Sequence, residues 1–147
     1  MEEDIKIKLL TNTATVPTYG SKDAAGADLY ADIQKPLTIL PGETVFVKTG
    51  IALAIPKGLV GLIFARSGLS CKRGLAPANK VGVIDSDYRG EIMVALHNHS
   101  NKEETIDVNE RIAQIAFVPF IKGNFALCDD LDDTDRGNGG FGSTGKK

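Results

Sequence analysis

Arg136, Phe141, Ser143 and Thr144 stand among five of the chain's 16 glycines in the segment Arg136-Gly-Asn-Gly-Gly-Phe-Gly142-Ser-Thr-Gly145. Glycine lets successive backbone N–H groups converge on an anion, and an arginine adds a forked, permanently charged donor. With two adjacent hydroxyls and one aromatic ring, the stretch suits wrapping a phosphate chain and covering a planar group. Two familiar phosphate motifs overlap it: Gly137-x-Gly139-x-x-Gly142 spells the dinucleotide fingerprint, and Gly140 to Gly145-Lys146 imitates a P-loop. The first needs a following helix to hold the pyrophosphate, and the second needs Ser or Thr after the lysine. Lys147 stands at that place and no helix follows, so both readings fail. A closing flap remains, against the alternative of a plain Gly/Ser linker.

The second dense segment is Gly82-Val83-Ile-Asp85-Ser-Asp-Tyr88-Arg-Gly90-Glu-Ile92. Apolar Val81, Val83 and Ile84, a polar turn, and then alternating Ile92, Val94 and Leu96 predict a hairpin with Asp85 near its bend. A carboxylate fixed there can serve as a general base toward water. The alternative is an aspartate that only satisfies turn amides. Asp85-x-Asp87 fails as a calcium loop because Arg89 occupies the next ligand position.

Arg66-Ser67-Gly68 places a guanidinium and a hydroxyl at an expected helix N-terminus, where free N–H groups favour anions, although serine is also the ordinary capping residue. Asp28 and Gln114 are polar residues inside otherwise apolar strand patterns, and each requires a partner or a ligand. For Gln114, an amide paired with backbone is the equal alternative.

Many short strands must position these groups. Strands are expected at Ile5 to Leu9, Leu37 to Leu40, Thr44 to Lys48, Ile51 to Ile55, Leu59 to Phe64, Glu91 to Leu96 and Arg111 to Val118, punctuated by Gly and Pro. Their regular spacing argues for an antiparallel sandwich or barrel. Only Ser67 to Gly74 resembles a helix, with Ser67 as its cap and Gly74 as its stop. The run Asp129-Asp-Leu-Asp-Asp-Thr-Asp135 reads as an extended acidic tether that carries the glycine-rich tail away from its own domain. A β domain over residues 1–128 and a tether with flap over 129–147 is the expected division.

At 147 residues the chain fits one domain able to bury a core. A net charge of -2 gives no global attraction for nucleic acid or an anionic membrane, so an anionic ligand needs a local cluster, and neither partner is expected. Cys71 and Cys128 form no CxxC pair and no leader is visible, so both are read as reduced thiols of a cytoplasmic protein, with the nucleus as a second compartment in a eukaryotic cell. His97 and His99 would share a strand face that a metal could use, but no third ligand lies near in sequence, which favours solvated histidines.

Five segments in order, Ala25-Gly-Ala-Asp28-Leu-Tyr-Ala31, Arg66-Ser-Gly-Leu69, Gly82 to Ile92, Glu110-Arg-Ile-Ala-Gln114 and Arg136 to Gly145, resemble the five motifs of the homotrimeric dUTP pyrophosphatase family. Departures are Ala65, Ser70 and Asn109, where the family often has proline, alanine and glycine. The resemblance implies an all-β jelly-roll, barrel-like single domain with one short helix and a mobile Gly-rich tail, assembled as a homotrimer with shared active sites. It implies hydrolysis of dUTP to dUMP and pyrophosphate with Mg²⁺, which limits uracil entry into DNA and supplies dUMP for thymidylate synthesis. A dCTP deaminase-like enzyme and a catalytically idle nucleotide-binding module are the alternatives.

By the same resemblance, Asp85 would deprotonate the attacking water, and Asn79 with the backbone near Gly82, Val83 and Met93 would read uracil. Tyr88 would exclude a 2′-hydroxyl, and Phe141 would cover the base. Arg66, Ser67, Gln114, Arg136, Ser143 and Thr144 would hold the phosphates, Gly68 and Gly142 would also bind substrate, and Asp28 would anchor Mg²⁺ through water.

Overall fold

The alternating apolar segments and their Gly and Pro punctuation resolve into antiparallel strands laid over one another in four small sheets. The structure is a computed structural model that describes residues 3–141, so the expectations for Gly142, Ser143 and Thr144 lie outside the described residues. In chain order the elements are β1 (Lys6–Leu9), β2 (Thr18–Tyr19), β3 (Ala27–Tyr30), β4 (Leu37–Ile39), β5 (Thr44–Lys48), β6 (Ile51–Ala54) and β7 (Leu59–Phe64). Then follow α1 (Ser67–Arg73), β8 (Leu75–Pro77), β9 (Gly82–Ile84), β10 (Met93–Asn98), β11 (Glu104–Ile106) and β12 (Arg111–Pro119). Every expected strand is present to within a few residues, and α1 is the helix among the described residues.

The largest sheet has the order β2-β3-β12-β7-β9, a second has β5-β10-β8, and the pairs β1-β6 and β4-β11 complete the wall. Their inner faces meet in one core in which Leu29, Ile39, Leu75, Leu96, Ile106 and Ile112 are fully buried. Burying one such side chain contributes roughly 1.5–3 kcal/mol, so alternation along each strand decides which face turns inward. The fold is all-β and barrel-like, with one short helix among the described residues.

β12 is the spine, pairing with β3 on one edge and β7 on the other. A register shift between Arg111 and Ala113 breaks its alternation, so Ile112 and Ala113 are both buried while Arg111 turns outward. Bulges commonly re-aim one side chain in this way. Beyond Pro119 the described chain has no strand or helix, and Ile121, Phe125, Leu127 and Leu131 are each at least 84% exposed. An arm of large apolar side chains therefore leaves the domain without cover from the other described residues.

Candidate active site

One cleft forms where β3, the start of α1 and β12 converge, and Asp28, Arg66, Ser67, Gly68 and Gln114 line it. Gln114 stands opposite Asp28 in the β12–β3 register, which places two polar side chains from neighbouring strands on one face. Asp28 is buried and accepts from Arg66 Nε at 2.7 Å and from Arg111 Nη1 at 3.1 Å. A buried carboxylate left alone would be costly; two guanidinium groups offset that cost and are themselves oriented by it. Arg66 also donates to the Arg111 carbonyl at 3.3 Å, so part of its five-donor fork remains for the cleft.

The sequence expectation that Ser67 caps α1 is corrected by the structure. Arg66 holds the cap position in extended geometry, φ −88° and ψ 131°, with no side-chain cap bond, and Ser67 is the first helical residue. Arg66 is drawn there by Asp28, which leaves Ser67 and its hydroxyl exposed in the cleft. Gly74 closes the helix in left-handed geometry, as expected. The Gln114 amide donates to the Ala65 carbonyl at 2.9 Å and still lines the cleft, so the backbone-paired and the ligand-facing readings coexist. Gly26 makes room for it, since a Cβ there would overlap the Gln114 side chain.

A second cleft is lined by Asn79, Gly82, Val83, Asp85, Tyr88 and Met93, together with Phe46 and Glu91. Here the expected hairpin is corrected: β9 pairs with β7 and β10 pairs with β5 and β8, so the two segments belong to different sheets. Each finds a better apolar partner than the other, and the splayed space between them becomes the cleft. Asp85 follows β9 directly and is exposed, and its carbonyl accepts from Tyr88 N at 3.1 Å. Tyr88 folds back to donate to the Glu91 carbonyl at 3.0 Å, and Arg89 braces the turn through Ser86 O and Tyr88 O. The arrangement offers backbone edges for a planar ligand and an exposed carboxylate at the rim.

The two clefts share no lining residue. Arg136 and Phe141 line neither; Arg136 Nε donates to the Gly139 carbonyl at 2.9 Å, and Phe141 is fully exposed. One chain thus presents three separated groups of candidate residues.

Among the described residues no group of three or more His, Cys, Asp or Glu is placed to hold a metal ion. His97 donates to or accepts from Thr44 Oγ1 through Nδ1, and its ring meets that of His99, which lies just beyond β10, at 4.3 Å. Burial, then His97 and Lys80, hold His99 below its ordinary pKa. For a hydrated cation the cleft side of Asp28 is a fitting anchor: a carboxylate has about four lone-pair sites, of which the two arginines take one each.

Phe46, Glu91 and Arg111 escaped the sequence reading. Phe46 on β5 is 67% exposed beside the second cleft, and Glu91 accepts from Gly50 N at 3.0 Å. Arg111 had one available signal, a charge opening an otherwise apolar strand next to Glu110.

Comparison with known proteins agrees with this geometry. The dUTPase family model matches residues 12–145. A deoxyuridine 5′-triphosphate nucleotidohydrolase of Desulfitobacterium hafniense is 53% identical over 131 residues, covering 88% of this chain and 87% of that protein. One from Hahella chejuensis is 47% identical over 141 residues, covering 95% and 93%. A solved variant of the Staphylococcus bacteriophage 80alpha dUTPase with dUpNHpp superposes with a TM-score of 0.89 at 27% identity, covering 98% of this chain and 99% of that one. A dUTPase variant of phage phi11 of S. aureus, described with a structural Mg(II) ion, superposes at 0.79 with 23% identity, covering 88% and 99%, a likeness of fold.

Proposed function

The chain belongs to the dUTPase family, and from that premise we propose how its residues divide the work. The reaction is hydrolysis of dUTP; the products are dUMP and pyrophosphate. Residues 1–128 form the catalytic β domain and residues 129–147 the tether and flap. The observation that carries this reading is the separation of the candidate groups into two clefts that share no described residue, with Arg136 and Phe141 lining neither. A complete site then requires more than one copy of the chain, and the homotrimer is the assembly that closes it. The uncovered arm with Ile121, Phe125 and Leu127 supports the same assembly, because those side chains need a neighbour to bury them.

In the assembled site the Asp85 carboxylate takes the proton of the attacking water. Backbone around Gly82, Val83 and Met93, with Asn79, reads the uracil edge, and Tyr88 fills the space of a 2′-hydroxyl. Arg66, Ser67, Gly68 and Gln114 hold phosphate oxygens from the first cleft. Arg136, Gly142, Ser143 and Thr144 complete the cradle, and Phe141 covers the base and excludes water. Mg²⁺, when bound, would neutralise phosphate charge, held through water by Asp28 and mainly by the substrate. No Ser-His or Cys-His nucleophile is needed, since positioning and charge neutralisation suffice for phosphoanhydride hydrolysis. No helix among the described residues is long and apolar enough to cross a membrane, and the cytoplasm is the proposed compartment.

Pyrophosphate release from a panel of dUTP, UTP, dCTP and dTTP, with ammonia release followed for dCTP, tests the reading. Selective turnover of dUTP is expected, because a site built to pair a base edge rejects mismatched analogues by about 10⁴ or more. Comparable turnover of UTP and dUTP would overturn it.

A further inference from the structure

α1 has seven residues, below the ~12–15 at which an isolated helix becomes even marginal, and Leu69 is its buried side chain. Its orientation therefore depends on what holds its two ends. At one end Arg66 is fixed by Asp28 and the Arg111 carbonyl. At the other, Arg73 Nε donates to Glu104 Oε2 at 2.8 Å, Nη1 to Glu110 Oε1 at 2.5 Å, and Nη2 to the Thr105 carbonyl.

The two ends are linked outside the helix. Glu110 also accepts from Asp107 N at 2.8 Å, and its own carbonyl accepts from Ala31 N at 2.8 Å, so its position is fixed by the loop before β12 and by the segment after β3. The next residue is Arg111, whose guanidinium reaches Asp28, the residue that seats Arg66. The contacts run from Arg73 through Glu110, Arg111 and Asp28 to Arg66 and return along α1. Arg73 itself is 30% exposed in its side chain and lines neither cleft.

We propose that Arg73 is a positioning residue for the phosphate-holding cleft, setting through Glu104, Thr105 and Glu110 the tilt of α1 and the seats of Arg66 and Asp28. The inference rests on dUTP being the substrate, and it deepens that reading by assigning Arg73 to the phosphate chain rather than to the base. A fork that makes three bonds in one plane cannot be copied by an ammonium group, so lysine would hold the helix only partly. A mere stabilising ion pair would have no reason to affect phosphate binding more than base binding.

The test uses the full chain with Arg73→Gln and Arg73→Lys, and compares kcat and KM for dUTP with inhibition by deoxyuridine, which carries the base and sugar but no phosphate. Displacement of binding groups by about 1 Å can cost about 10²-fold, so kcat/KM for dUTP should fall about 10- to 100-fold in the glutamine variant. The lysine variant should recover part of the loss, and the deoxyuridine inhibition constant should stay where it was. Unchanged dUTP kinetics, or an equal loss for dUTP and deoxyuridine, would overturn the proposal. Should Arg73→Gln fail to fold, Glu110→Gln breaks the same link while leaving the Glu104 pair, and the same split is expected. If the unaltered enzyme fails on dUTP, the substrate reading falls and takes this inference with it; if only the variant matches the unaltered enzyme, Arg73 alone loses its role.

Discussion

The phenol of Tyr88 lies across Gly90, so closely that a Cβ on Gly90 would overlap the outer edge of the ring, and its hydroxyl donates to the Glu91 carbonyl at 3.0 Å. Glycine at 90 is thus what lets Tyr88 fold back against the rim of the second cleft. Gly90→Ala should push the ring off its seat. If Tyr88 excludes a 2′-hydroxyl, the preference for dUTP over UTP in kcat/KM narrows about tenfold or more, equal to about 1.4 kcal/mol of discrimination. An unaltered preference would remove Tyr88 from that role.

Asp85→Asn keeps the size of the side chain at the end of β9 and the backbone bond from Tyr88 N to its carbonyl. It removes the proposed proton acceptor. Turnover of dUTP should fall roughly 10²- to 10⁴-fold, while binding of a non-hydrolysable analogue survives because base and phosphates are held by other groups. Normal turnover in this variant would assign the water to a different base.

Glu104 is held below its ordinary pKa of 4.5, first by its hydrogen bond to Arg73, with burial acting in the opposite direction and Lys102 adding to the lowering. Burial pulls Arg73 down, but its bonds to Glu104 and Glu110 carry the net shift upward. For a carboxyl lowered in the native state, the unfolded chain binds the proton more readily as pH falls. The stability it contributes is present above pH 4.5 and is lost as pH drops through the native value. Thermal unfolding midpoints should therefore decline more steeply below pH 4.5 in the natural chain than in Glu104→Gln. Parallel declines would show that Glu104 contributes nothing to acid sensitivity.

The strands were legible because burial on one face imposes a period of two and because Pro41-Gly42 and Pro56 to Gly58 break it. What alternation cannot convey is which sheet a strand joins. β9 and β10 read as a hairpin since they are near in sequence, yet β9 gains Leu62 and Ile63 of β7 as partners while β10 lies between β5 and β8. The cleft exists because that pairing failed. Asp28 and Gln114 were legible as misplaced polar residues, whereas Arg73 was not, because a charge in the last turn of a helix looks the same whether it faces water or spans three acceptors. The register shift that turns Arg111 toward Asp28 left no trace in composition either.

The tail supplies the sharpest test of shared sites. Among the described residues Arg136 bonds only within its own turn, Phe141 is fully exposed, and neither lines either cleft. Deleting residues 136–147 removes little buried apolar area from the domain, so the thermal midpoint should barely move while most dUTP hydrolysis is lost. Phe141→Ala should remove the ring alone, worth about 1–3 kcal/mol by analogy with other base–aromatic contacts. Mixed assemblies separate a flap that closes on its own chain from one that closes on a neighbour. A chain lacking residues 136–147 keeps Asp85, and an Asp85→Asn chain keeps the tail, so a site built across subunits regains both groups in some mixed assemblies. Activity should then rise when two nearly inactive proteins are unfolded together and refolded. If each chain closed on itself, every site would lack one group and the mixture would stay as inactive as its parts; full activity in the deletion alone would make the tail a linker.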